Sequence, residues 1–156
     1  MDNRNLSNRS DNLSMNHSTG TDAALRQAQG WNRRDIAGFI GIAGPLWTRK
    51  DDSGWRYGLL VEERHLNPAG VMHGGALCTL LDHVISTVAW EACDRTPCVT
   101  LQLDSQFLAA VKPGQFIEAS ATLEHRTKGM VFMRGRVEAD GAAVMVGQAI
   151  LKIVNR

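Results

Sequence analysis

Only one stretch of this chain has the period of a long helix, and it begins on two consecutive glycines. From Gly74 to about Glu91, the residues Leu77, Leu80, Leu81, Val84, Ile85 and Val88 recur at helical spacing and form one broad apolar stripe. Beside the stripe runs a facet of small or polar residues: Gly75, Cys78, Thr79, Asp82, Ser86 and Ala89. Such a helix must bury its stripe on a sheet, and it can turn the small facet toward something else. Arg95-Thr96-Pro97 ends it.

The sequence on either side of the helix reads as strands. Ahead of it, a strand is expected around Leu46 to Lys50, then the turn Asp51-Asp52-Ser53-Gly54 and a second strand from about Trp55 to Glu62. Between Asp22 and about Phe39 a weakly amphipathic pattern suggests one or two short helices, broken near Gly30. After the helix, Val99, Leu101 and Leu103 alternate and Phe107 continues the pattern, up to the turn Lys112-Pro113-Gly114. Ile117 to Leu123 alternate next, ending in a turn over 125–129. Met130 to Glu138, the hairpin signal Asp140-Gly141 and a last run from Val144 to Val154 complete the chain. Two strands, one long helix and an antiparallel meander imply an α+β fold in which a sheet wraps one helix. Residues 1–21, rich in Asn and Ser, hold too few apolar side chains to offset the entropy of ordering and are expected to be a disordered tail. Residues 22–156 are expected to form one domain.

Composition removes several classes of function. With 17 Lys and Arg against 16 Asp and Glu, the formal charge is +1, which gives no electrostatic footprint for nucleic acid. No apolar run approaches the ~20 residues needed to span a bilayer, and no signal peptide is visible. The three cysteines, Cys78, Cys93 and Cys98, form no CxxC pair, which suits a reducing, cytoplasmic setting better than a disulfide framework. The five histidines and three cysteines show no ligand spacing, so no metal is expected.

The start of the helix carries the chemistry. Backbone N–H groups there lack intrahelical partners and lie at the positive end of the macrodipole. No Ser, Thr or Asp immediately precedes Gly74 to cap them, so the start is expected to be open to a developing negative charge. Asp82, taken alone, reads more simply as a polar residue at the helix border. His73 reads as a hydrogen-bonder fixing the turn, and Asn67 before Pro68 as an Asx turn. His65 and His83 read as surface or packing residues, and Cys78 as a small packing residue.

The run Asn67-Pro68-x-Gly70-x-x-His73-Gly74-Gly75, with Asp82 on the following helix, resembles the hotdog-fold thioesterases. Within them it looks most like the phenylacetate-pathway subgroup of the 4-hydroxybenzoyl-CoA thioesterase-like superfamily. The similarity runs from about Phe39 to Ile153 and includes Pro97-Cys98-Val99-Thr100, Lys112-Pro113-Gly114 and Lys128-Gly129. The resemblance implies hydrolysis of acyl-CoA thioesters to a carboxylate and free CoA, with no cofactor beyond the CoA of the substrate, by dimers or dimers of dimers. It implies that the Gly74 N–H polarises the carbonyl and that Asp82 serves as nucleophile or general base. Asn67 and His73 would hold the site together, with Thr100 assisting the attacking group. Gly75 belongs to the substrate-binding start of the helix. Arg126 and Lys128 beside Gly129 could meet CoA phosphates or simply form a solvated hairpin tip. A non-catalytic acyl-CoA sensor on the same fold is the alternative.

Spacing adds a constraint of its own. At ~1.5 Å rise per residue, Gly74 and Asp82 lie about 12 Å apart along one helix, of which the lean of side chains toward the N-terminus recovers only ~3 Å. An oxyanion sits ~3 Å from its donor and the attacking atom ~3–3.5 Å from the carbonyl carbon. One helix therefore hardly reaches both ends of a thioester, and a two-fold partner is expected to supply the second residue.

Overall fold

Alternating apolar residues around a single amphipathic helix produce one sheet and one buried helix. The computed structural model describes residues 26–154; the expected polar tail over residues 1–21 lies outside them. In chain order the elements are β1 (Asn32–Arg34), a one-turn helix α1 (Phe39–Ile42), β2 (Leu46–Asp51) and β3 (Gly54–Leu60). A 3₁₀ turn (Glu63–His65) leads to the long helix α2 (Gly74–Ala92), followed by β4 (Cys98–Phe107), β5 (Phe116–Arg126), β6 (Met130–Ala139) and β7 (Ala142–Ile153). All seven strands join one sheet in the order β1-β2-β3-β5-β6-β7-β4, antiparallel throughout. The sheet wraps α2. This is the hotdog fold.

Helix α2 packs deeply because the strands beneath it carry glycine where a side chain would collide. A Cβ on Gly135 would lie 2.6 Å from Leu81 Cδ1, and one on Gly147 would lie 2.8 Å from Leu81 Cδ2. Both positions are mid-strand, where glycine marks close approach of another element. Leu80, Leu81, Val84, Ile85 and Ala89 are fully buried on that face, together with Ile117, Val131, Met133, Val137 and Leu151 from the sheet. Burying each large side chain stabilises the fold by roughly 1.5–3 kcal/mol.

Three expectations need correction. Among the described residues three strands precede α2 rather than two: residues 32–34 pair with β2, Arg33 opposite Trp47, where helical turns were expected. Among the described residues ahead of this strand only 26–28 are helical, and Gly30 at φ 82 turns the chain into the strand. The strands after α2 are not a simple meander, because β4 pairs with β7 instead of β5. Strand β3 already occupies the open side of β5, Tyr57 opposite Ala119, so the free side of β7 is where β4 fits. The alternation Val99, Leu101, Leu103 also fails. The register jumps between Thr100 and Gln102, a β-bulge at Leu101. Val99 and Leu101 are exposed while Leu103 is half-buried, so the bulge has moved Leu103 to the opposite face of the strand.

Candidate active site

The turn before α2 is closed by its own first residue. Asn67 N–H donates to Val71 O (2.8 Å) and Gly70 N–H to Asn67 O (2.9 Å). The Asn67 Oδ1 accepts from Ala69 N–H at 2.9 Å, an Asx turn that uses its carbonyl oxygen locally. Gly70 takes the left-handed conformation the turn needs, at φ 75. His73 is then set by a backbone bond to His65 O (2.7 Å).

The helix start is less open than its sequence suggests. The His73 ring caps it: Nδ1 accepts from Gly75 N–H at 2.8 Å. Histidine is outside the usual set of capping residues, so this role is not readable from residue type. A Cβ on Gly75 would lie 3.0 Å from that nitrogen, so the glycine makes room for the cap. Ala76 and Leu77 donate to His73 O. Only the Gly74 N–H remains without a partner among the described residues. Its flank is an aromatic wall, since a Cβ on Gly74 would lie 3.2 Å from the Phe107 ring.

Two turns along the helix, Asp82 is half-buried and accepts a hydrogen bond from Thr100 Oγ1 to Oδ1 at 2.8 Å. Thr100 Oγ1 also lies 3.3 Å from Ser86 Oγ. With Thr100 donating to the carboxylate, Ser86 is the donor to Thr100, and the three form a chain from hydroxyl to hydroxyl to carboxylate. Oδ2 of Asp82 has no hydrogen-bond partner among the described residues. Ser86 was visible in the sequence only as a small residue on the facet; its spacing of four from Asp82 is the signal that could have found it.

These contacts form a seam between α2 and β4. Phe107 meets Gly74, Ser105 Oγ lies 3.9 Å from Cys78 Sγ, and Thr100 meets Asp82 and Ser86. Four helical residues advance ~6 Å and two strand residues ~6.6 Å, so antiparallel helix and strand stay in step. The Leu101 bulge keeps Thr100 on the same face as Ser105 and Phe107.

The remaining candidates lie elsewhere. Arg126 Nη1 donates to Ala92 O (2.8 Å) and pairs with Asp94 (3.4 Å), binding the last carbonyls of α2. Gly129 and Lys128 sit on the adjoining β5–β6 hairpin tip, where Thr127 N–H donates to Met130 O. Over the 19 residues of α2, that end lies about 27 Å from Gly74 in the same chain. His65 takes the packing alternative and is buried; its Nδ1 accepts from Glu62 N–H at 2.8 Å and its Nε2 donates to Ala43 O. His83 packs edge-on to Tyr57, and burial pushes its pKa down against the opposing pull of Asp82. The Cys98 thiol is pushed up to about 11 by burial and by the neighbouring Cys93, which makes it a poor nucleophile. A cleft of about 590 Å³ opens beside His73 and Gly75, toward α1.

A family model of the thioesterase superfamily matches residues 69–146, half of the 156-residue chain. The chain belongs to the thioesterase superfamily. The region matched to the thioesterase superfamily takes in His73, Gly74, Asp82 and Thr100 and leaves Asn67 just outside. Human acyl-coenzyme A thioesterase 13 is 34% identical over 73 residues, 46% of this chain and 51% of the human protein. The match thus spans about half the length of that relative. A phenylacetic acid degradation-related protein from Ralstonia eutropha shares 25% identity at TM-score 0.60, over 83% of this chain and 89% of its own. A Bacillus halodurans protein solved with CoA superposes at TM-score 0.72 over 97% of this chain and 99% of its own, at 20% identity, a likeness of fold.

Proposed function

We propose that this member of the superfamily is an acyl-CoA thioesterase of the phenylacetate-pathway type, acting as a dimer whose two sites are each shared between subunits. The observation that carries the reading is that α2 holds both an N–H, at Gly74, and a carboxylate oxygen, Asp82 Oδ2, without a partner among the described residues, while Thr100 holds Asp82 Oδ1. In the proposed reaction the Gly74 N–H donates a hydrogen bond to the thioester oxygen as negative charge develops there. A donor of that kind contributes on the order of 3 kcal/mol to the barrier. Asp82 of the partner subunit either removes a proton from water, which then attacks the carbonyl carbon, or attacks that carbon directly to give an anhydride that water opens. In both routes the C–S bond breaks and the CoA thiolate leaves, to be protonated to the free thiol.

Two features support the dimer. The separation of about 12 Å between Gly74 and Asp82 expected from the helical rise exceeds what a single thioester bridges. Strand β4 is a ten-residue edge on which Val99, Leu101 and Phe107 are exposed, as is Leu108 just beyond it. A long apolar edge is the kind of surface that another copy covers. On an antiparallel partner, Arg126, Lys128 and Gly129 of one subunit would approach the other's site, which keeps them as candidate contacts for CoA phosphates. Asn67 and His73 are proposed to hold the turn and the helix start in place. The free cysteines fit a reducing compartment.

The test is thiol release from a panel of aryl- and fatty-acyl-CoA esters, with Asp82→Asn as control; no release from any ester would overturn the hydrolase reading. Shared sites are tested by mixing. Proline is well tolerated at the first helical position and lacks the N–H, so Gly74→Pro removes the donor with little harm to the helix. Gly74→Pro and Asp82→Asn, each inactive alone, should regain about a quarter of normal activity when mixed and re-equilibrated, because half the dimers carry one intact site. If the mixture stays inactive although mixed dimers form, the sites are not shared.

A further inference from the structure

Resting on the thioesterase reading, we infer that the cleft between α1 and the start of α2 holds the apolar tail of the acyl group, with Phe39 and Ile42 as the wall that sets its length. Helix α1 buries none of its four residues, and Phe39 and Ile42 are 74% and 71% exposed. Two large apolar side chains on one exposed turn leave apolar surface in water that a ligand tail would cover. Both line the cleft, with Leu66 and Ala76 across from them.

One residue ties this wall to the helix start. The His65 ring donates to Ala43 O at the end of α1, while its backbone oxygen accepts from His73 N–H. The wall and the cap of α2 are therefore positioned from the same buried side chain, 4% exposed. That linkage fixes the distance from the wall to the Gly74 N–H, as a length-reading pocket requires.

The polar inventory gives the ligand its direction and class. Thr79 faces the cleft but its hydroxyl donates to Gly75 O at 2.8 Å. Arg64 at the rim is paired with Glu62. The polar group left over is His73: with Nδ1 accepting, the neutral ring carries its proton on Nε2, which has no partner among the described residues. A ligand here is polar at the His73 end and apolar along the rest, the pattern of a thioester carbonyl followed by a hydrocarbon or aryl tail. A tail ending in a carboxylate would lose hydration with nothing to replace it. The volume, about 590 Å³, is that of a site for a medium-sized ligand and far exceeds what an acetyl group fills.

The test separates tail binding from hydrolysis. The full chain is titrated calorimetrically with CoA and with the non-hydrolysable thioether S-decyl-CoA, as wild type and as Phe39→Ala/Ile42→Ala. Both positions are exposed, so the double variant keeps its fold. The wild type is expected to bind the thioether at least tenfold more tightly than CoA, and the double variant to lose most of that preference. In parallel, kcat/KM for decanoyl-CoA should fall about tenfold in the variant while that for acetyl-CoA changes less than twofold. A tail preference that is absent from the wild type, or unchanged in the variant, overturns the inference. A changed oligomer mass of the variant in sedimentation also overturns it, since the wall would then be a contact between copies. A tail preference that depends on Phe39 and Ile42 in a protein that cleaves no thioester supports the pocket and removes the hydrolase reading alone.

Discussion

The two faces of α2 are made of the same helix and do opposite things. One face presses Leu81 and Ile85 into the spaces above Gly135 and Gly147, side chain against backbone. The other presents Gly74, Cys78, Asp82 and Ser86 to a strand edge and is joined to it by hydroxyls and a carboxylate rather than by methyl groups. Close packing concentrates stability on the first face. That freedom lets the second hold an incompletely satisfied carboxylate and an unpartnered N–H, groups that a well-packed core would exclude.

If the division is sound, substitutions on the two faces should fail in different assays. The largest effect is expected from Asp82→Asn. Turnover should fall by roughly 10²–10⁴-fold, the range for a positioned carboxylate base, while chemical denaturation changes by less than about 1 kcal/mol. Leu81→Ala on the opposite face should do the reverse and cost about 2–5 kcal/mol of stability, read from the urea midpoint. Its activity per folded molecule should stay near normal; a large loss of kcat would mean the faces are not independent. Thr100→Ala removes a hydrogen bond to a charged group, worth about 1.5–3 kcal/mol, and should lower kcat by roughly ten- to a hundredfold. Ser86→Ala acts one hydroxyl further away and should lower kcat by less than about tenfold, with Ser86→Thr restoring most of it. Equal losses from Thr100→Ala and Ser86→Ala would contradict the order of the chain.

The smallest effect concerns pH. Burial lowers the pKa of His83 below its ordinary value of 6.5, so the unfolded chain takes up a proton that the folded chain excludes. Stability is complete above pH 6.5 and declines as pH falls through that value toward the folded pKa. Between pH 7.5 and 5.5 the unfolding midpoint of His83→Gln should change less than that of the wild type. Parallel curves would show that His83 is not the group responsible.

The elements were more legible in the sequence than their arrangement. The α2 stripe, the hairpin signal at Asp140-Gly141 and the turn signal at Lys112-Pro113-Gly114 are local, and the helix, the β6–β7 hairpin and the turn they mark are present. Strand neighbours depend on long-range pairing, which alternation does not encode. The place of β4 beside β7, and the short β1, followed from which edges were free. The bulge at Leu101 was hidden because Val99, Leu101 and Leu103 are all apolar and mimic an unbroken pattern. At the site, Thr100 and Asp82 were paired only through the family resemblance, although the hydrogen bond between them is direct. The His73 cap was missed because histidine rarely fills that position. Ser86 was counted as a small residue because nothing local distinguishes a relay hydroxyl from a spacer.

The surplus residue at Leu101 has a consequence for how this strand can change over time. Point substitutions along β4 exchange one side chain and leave the rest in place. Deleting a single amino acid there would re-phase every position on one side of the deletion, carrying Thr100 or the Ser105–Phe107 pair away from the helix together. The constellation should therefore be tolerant of altered identities in this strand and brittle toward altered length.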